Sequence, residues 1–191
     1  MKKIFDFIDF SKPSYEVAPQ LIGAHFFVDG VGGVIVEVEA YDQIDPASHT
    51  FVGLTKRNAA MFGPPGCAYV YRSYGIHWCL NFVCGEEGYG AGVLIRAIKP
   101  TIEIEVMRKR RNLQNERLLC AGPGRVGQAL AISPRHNGLP LYELPFSLLP
   151  SAQPVNVIHG PRIGISKAVD VPWRFGMERS NFLSRPFVKQ T

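Results

Sequence analysis

The chain has 191 residues, 46% of them hydrophobic and 19% charged, which suits one folded domain over 1–191 with a sizeable core and excludes a disordered or collagen-like chain. Its net charge of +5 is compatible with a polyanionic partner but does not require one. No apolar run approaches the roughly 18 residues of a membrane span, and Asp6 and Asp9 interrupt the stretch after Met1-Lys2-Lys3 before it resembles a secretory signal.

In chain order, Pro13-Ser14-Tyr15-Glu16-Val17-Ala18 predicts a helix start running to Leu21 and Ile22 and stopping at Gly23, with Pro19 working against it. Residues 25–28 read as a strand that turns at Asp29-Gly30 into a second one, from Gly32-Gly33-Val34 to Tyr41. At period two, Val34, Val36 and Val38 face one side of that strand, and Ile35, Glu37 and Glu39 the other. Two acids at the exit of a strand otherwise fit for a core make it the candidate centre; the competing reading is a half-exposed strand with two solvated glutamates. From residue 42 to 66 periodicity fails, apart from one helical turn predicted at 58–61, and a loop of that length in a compact domain is usually functional.

Residues 67–75 predict a strand with Tyr69 and Tyr71 on one face and Tyr74 at its end beside Gly75; for Tyr69 a core position is the plainer reading. A strand over 76–84 turns through the glycines of 85–92 into 93–98. There Val93, Ile95 and Ala97 share one face, and Arg96 lies between Leu94 and Ile98 on the other. An arginine in an apolar file needs a buried acid or an anionic ligand, and a structural salt bridge serves as well as a substrate. Thr101 caps a predicted helix reaching about residue 119, whose bases Arg108, Lys109, Arg110 and Arg111 spread around it and leave Arg108 and Arg111 as the pair able to share a phosphate.

Gly122-Pro123-Gly124-Arg125 opens a further helix whose free N–H groups suit an anion, although the G-K-[ST] ending of a nucleotide loop is missing. Prolines at 134, 140, 145, 150, 154 and 161 mark a surface excursion. Residues 162–166 then predict a short strand, and 173–175 with 181–183 a last strand pair. Cys67, Cys79, Cys84 and Cys120 form no C-x-x-C pair and match no zinc spacing, so they read as buried thiols in a reducing cytoplasm, with no metal and no cofactor expected.

These pieces assemble a carboxylate at a strand end, an arginine able to hold it charged, a histidine in the adjoining loop and tyrosines at other strand ends. Val38-Glu39-Ala40-Tyr41, Ser48-His49, Arg57-Asn58, Met61-Phe62, Tyr69-Val70-Tyr71, Tyr74-Gly75, Asn81, Leu94-Ile95-Arg96-Ala97, Gly122-Pro123, Gln128-Ala129-Leu130-Ala131-Ile132 and Arg162-Ile163-Gly164-Ile165, in this order, resemble the alkyladenine (3-methyladenine) DNA glycosylase family, over roughly residues 14–183. The resemblance implies an α+β fold: a single domain with a curved, mainly antiparallel sheet and flanking helices. It also implies a monofunctional repair enzyme that flips a damaged purine out of double-stranded DNA and hydrolyses its N-glycosidic bond, as a monomer and without a membrane partner.

By the same resemblance Glu39 is the general base and Arg96 holds it charged and positions the water. Tyr41, His49 and Tyr71 sandwich the base, Asn81 excludes the amino group of guanine, the carbonyl of Ile165 is a further water ligand, and Tyr74 intercalates. Spacing alone does not prefer Glu39 over Glu37. The 41-to-49 spacing and residues Arg72-Ser73 and His77-Trp78 depart from the family pattern and put substrate breadth in question. The alternatives are a binding module that has lost catalysis, and a base-releasing enzyme acting on RNA.

Overall fold

The computed structural model of the chain describes residues 5–187; the Met1-Lys2-Lys3 start lies outside them. In chain order the elements are helix α1 (Ser14–Leu21), strands β1 (His25–Val28), β2 (Val31–Tyr41), β3 (Ala68–Ser73), β4 (His77–Val83) and β5 (Gly92–Ile102), helices α2 (Ile104–Arg111) and α3 (Pro123–Ala129), and strands β6 (Phe146–Leu149), β7 (Val157–Gly160) and β8 (Arg174–Met177). A 3₁₀ turn at Ala59–Phe62 stands where the helical turn was expected. Helices flank a curled antiparallel sheet of order β3-β4-β5-β2-β1-β6, with β8 bridging β2 and β7. The α+β fold expected from the resemblance is the one observed.

β2 is the spine. One of its edges pairs with β5 along most of its length, and the other passes from β1, at residues 31–34, to β8, at residues 37–39. That handover coincides with opposed irregularities. Between Ile35↔Ile98 and Glu37↔Ala97 the extra residue is Val36; between Glu37↔Ala97 and Val38↔Ile95 it is Arg96. Each extra residue shifts the alternation by one. Ile35 therefore joins Val38 in the core, not Glu37 and Glu39 as strict period two predicts, and Ile98 joins Ile95 there instead of sharing the face of Arg96. Glu37 and Glu39 keep a common face, and the bulge that delivers Arg96 to them is in the partner strand. Both acids have zero exposure, so the solvated-glutamate reading is overturned.

Five other expectations change. The helix predicted over 101–119 is only α2: β5 continues to Ile102, and left-handed Glu103 and Asn112 bound the helix on either side. Arg108 turns to Glu105 and Glu116, and Arg111 to the Leu119 carbonyl and Gln128, so the pair faces the protein's own groups. Residues 162–166 form no strand, Gly164 at φ 76° breaking the extended backbone; β8 pairs with β2 and β7, not with 181–183. The proline-marked excursion also contributes β6, which covers β1 at the sheet edge and buries Phe146 and Leu148.

The core between sheet and helices is built on Phe26, Ile35, Leu80, Phe82, Ile95, Ile98, Met107 and Leu130. Gly127 lets α3 lie directly on β4, since a Cβ there would sit 1.9 Å from the Trp78 carbonyl oxygen. That contact brings the start of α3 to the site. Among the described residues no helix is long and apolar enough to cross a membrane.

Candidate active site

A cavity of about 430 Å³ opens on the face of β2, β3, β4 and β5 opposite the core, large enough for a purine. Tyr41 comes from the end of β2, Tyr69 and Tyr71 from alternate positions of β3, Cys79 and Asn81 from β4, and Leu94 and Arg96 from β5. His49 and Arg57 come from the long loop, Pro123 from the start of α3, and Ile163, Gly164 and Ile165 from the segment before β8. Pairing explains the convergence: Asn81 is opposite Leu94, which is opposite Glu39, so three strands deliver side chains at one level.

The aromatic walls are set by contact. Tyr69 and Tyr71 stack at 5.6 Å between centroids, and the His49 ring stands edge-on to Tyr71 at 4.4 Å. His49 Nδ1 is 3.2 Å from the Tyr69 hydroxyl. Burial, helped by nearby Arg57, lowers the His49 pKa below its ordinary 6.5 and keeps the ring neutral near pH 7. The hydroxyls stay protonated: burial pushes Tyr69 up to about 12, and raises Tyr41 further with the Glu39 carboxylate beside it. Asn81 is anchored by its Nδ2, which donates to the Tyr69 carbonyl at 3.2 Å.

Under this cavity lies a buried charge cluster. Glu39 accepts from the Tyr41 hydroxyl at 2.9 Å, from Arg96 Nη1 at 3.2 Å and from the Ile163 N–H at 2.7 Å. Glu39 itself is not part of the cavity wall, but all three of its donors belong to residues that are. Glu37 is enclosed differently, by Arg96 Nε at 3.3 Å, Arg174 Nε at 2.7 Å, and the Ser184 N–H and hydroxyl at 2.5 and 2.8 Å. Two acids and two arginines balance, as burial of charge demands. Burial alone would lower the Arg96 pKa; Glu39 and Glu37 outweigh it and raise it.

The expected residues are thus brought together: Glu39 and Arg96 are in contact, and Tyr41, His49, Tyr71, Asn81 and Ile165 line one cavity. Ile165 makes no described contact with Glu39; the nearer group is the N–H of Ile163. Tyr74, at the tip of the β3–β4 hairpin, borders the same cavity yet is 88% exposed, at φ 49° beside Gly75 at φ 69°. A bulky residue held at positive φ in full solvent gains nothing for the core.

Sequence reasoning missed Arg162, fully buried against Asp45. Its Nη1 donates to the Ala40 carbonyl at 2.9 Å, and its guanidinium lies 4.8 Å from the centre of the Tyr41 ring, so it props that ring and the Ile163 N–H at once. The available signal was an arginine opening an otherwise apolar block. Arg174 gave none, since it meets Glu37 across 137 positions. Tyr69, read as core, is buried but also forms part of the wall.

The model of the methylpurine-DNA glycosylase family matches residues 8–181, nearly the whole chain. The chain belongs to the methylpurine-DNA glycosylase family. Similar proteins, provisionally named 3-methyladenine DNA glycosylase, include one from Nitrosospira multiformis, 64% identical over 180 residues and covering 94% of this chain and 93% of its own. Another, from Rhizobium meliloti, is 60% identical over 179 residues, 93% of this chain and 95% of its own; a third, from Rhodopseudomonas palustris strain HaA2, is 59% identical over 178, 93% and 89%. The family resemblance read from scattered blocks is borne out, and with it an enzyme of base-excision repair that acts on DNA.

Proposed function

We propose that this glycosylase extrudes a damaged purine nucleotide from duplex DNA into the aromatic cavity and hydrolyses its N-glycosidic bond. 3-Methyladenine, the base in the relatives' names, and 7-methylguanine are its first candidates, and hypoxanthine and 1,N6-ethenoadenine its neutral ones. The observation that carries this reading is the buried Glu39, whose three donors all belong to the cavity wall. A duplex hides its glycosidic bonds, so the nucleotide must leave the stack at a cost of a few kcal/mol. Tyr74, rigid and exposed on a hairpin tip, is the wedge that fills the gap.

Inside the cavity Tyr41, His49 and Tyr71 offer π faces, which attract a cationic alkylpurine by about 0.5–2 kcal/mol, and neutral His49 adds no opposing charge. Asn81, held by its amide, narrows the cavity on the side where guanine carries its exocyclic amine; 7-methylguanine bears the same amine, and its cationic ring is what offsets that penalty. Arg96, with the Ile165 carbonyl, positions a water. That water attacks C1′ as the base leaves with the bonding pair, and Glu39 takes its proton. An N-alkylated base departs neutral, so it needs no acid. The protein works as a monomer, without metal or cofactor, in the cytoplasm where the chromosome lies.

The decisive measurement is release of 3-methyladenine and 7-methylguanine from alkylated duplex DNA, extended to hypoxanthine and ethenoadenine. Glu39→Gln is expected to bind the lesion yet slow release by roughly 10²–10⁴-fold. Undiminished activity in Glu39→Gln would sink the mechanism, and loss in Glu37→Gln alone would move the base by two residues. Binding without release by wild-type protein would instead favour a module that has lost catalysis, and release from RNA but not DNA the remaining alternative.

A further inference from the structure

The guanidinium of Arg96 has each nitrogen assigned to a different partner: Nε to Glu37 at 3.3 Å, Nη1 to Glu39 at 3.2 Å and Nη2 to the Ser184 hydroxyl at 3.5 Å. Ser184 is not a neighbour in sequence and lies beyond residue 181, where the family match ends. Its hydroxyl accepts from Arg96 and donates to Glu37 at 2.8 Å, and its N–H closes the second oxygen of Glu37 at 2.5 Å. One residue near the chain end thus fixes the acid that orients the arginine, and touches the arginine as well.

The segment around it has its own anchor. Arg174, the other cation on Glu37, donates to the carbonyls of Arg185 and Pro186, and its guanidinium lies 3.9 Å from the centre of the Phe187 ring. That ring rests on a floor without side chains: a Cβ on Gly176 would be 2.5 Å from it, and one on Gly160 3.2 Å. Two glycines, one on β8 and one on β7, leave the space the ring fills. Such a seat is more than a surface tail requires.

We infer that residues 184–187 form a strap that positions Arg96 toward Glu39, with Phe187 as its anchor and Ser184 as its clasp on Glu37. Ser184 and Phe187 touch no reacting atom and act through Glu37 and Arg174. The inference rests on the proposed roles of Glu39 and Arg96, and predicts that the strap governs the chemical step and not lesion capture. Without the clasp, Glu37 is left with fewer donors and draws on Arg96, the group it shares with Glu39.

The test uses full-length protein, single-turnover base release and lesion-duplex affinity. Ser184→Ala is expected to slow release roughly tenfold, the worth of a hydrogen bond to a charged group, with affinity within about twofold of wild type; Ser184→Thr, which keeps the hydroxyl, restores most of the rate. Phe187→Ala should move both quantities the same way. The Nε–H resonance of Arg96 supplies a reading independent of activity: it is expected to exchange slowly in wild type and faster, at a shifted frequency, in Ser184→Ala. Wild-type release rates in both alanine variants, or rate and affinity falling together with the melting temperature, would overturn the strap. Should wild-type protein release no base, the proposed function fails, and the Arg96 resonance still decides whether Ser184 positions that arginine.

Discussion

At the scale of the residue, two glutamates two positions apart on one strand face have different surroundings. Glu37 is closed by two arginines and both donors of Ser184, while Glu39 is closed by groups that themselves border the cavity. Glu37→Gln is therefore expected to show itself first as lost stability: leaving Arg174 buried and unbalanced costs about 3–5 kcal/mol, measurable by denaturant unfolding. His49 gives a second outcome. Its pKa is lowered on folding, so its neutral form is the one the fold favours: stability falls as pH drops below 6.5, where the unfolded chain takes up the proton first, and at lower pH still the folded ring turns positive against a cationic base. Release of 7-methylguanine should fall through that range more steeply than release of hypoxanthine, and His49→Gln should flatten the difference.

At the scale of the element, the paired bulges at Val36 and Arg96 put the acids and their arginine on the cavity face while Ile35, Val38, Ile95 and Ile98 stay in the core. Deleting Val36 restores strict alternation. It makes Ile35↔Ile98 and Glu37↔Ala97 consecutive pairs, with Ile35 still in the core and both acids still on the cavity face, and is therefore expected to keep cooperative unfolding by circular dichroism. The β3–β4 hairpin carries a forecast of its own, because Tyr74 borders the cavity while 88% of it is exposed. Tyr74→Ala should leave the melting temperature within a few degrees of wild type while reducing release from duplex far more than from single strands; equal release from both would remove its role as a wedge.

At the scale of the whole molecule, the buried cluster of Glu37, Glu39, Arg96 and Arg174 cancels its own charge, so the net +5 resides with other groups. A duplex held by such a surface releases counterions on binding. Affinity for lesion-free DNA is expected to fall steeply and log-linearly with salt, while single-turnover release from the preformed complex changes little; a release step as salt-sensitive as binding would mean that the cluster is open to ions.

The sequence alone determined the family, the antiparallel strands of the first half and a set of site residues that does converge, because period-two alternation and short turns are local properties and the blocks of the site keep their residue types. The tertiary structure alone decided which side the residues face beyond a bulge, where helix α2 stops, and which charges meet. Val36 carries no mark of being extra, since a bulge exists only relative to the partner strand. The bonds of Glu37 with Arg174 and Ser184, and that of Arg162 with the Ala40 carbonyl beside Tyr41, span 122 to 147 positions. They arise where burial forces each charge to find its opposite, and no periodicity along the chain records that search.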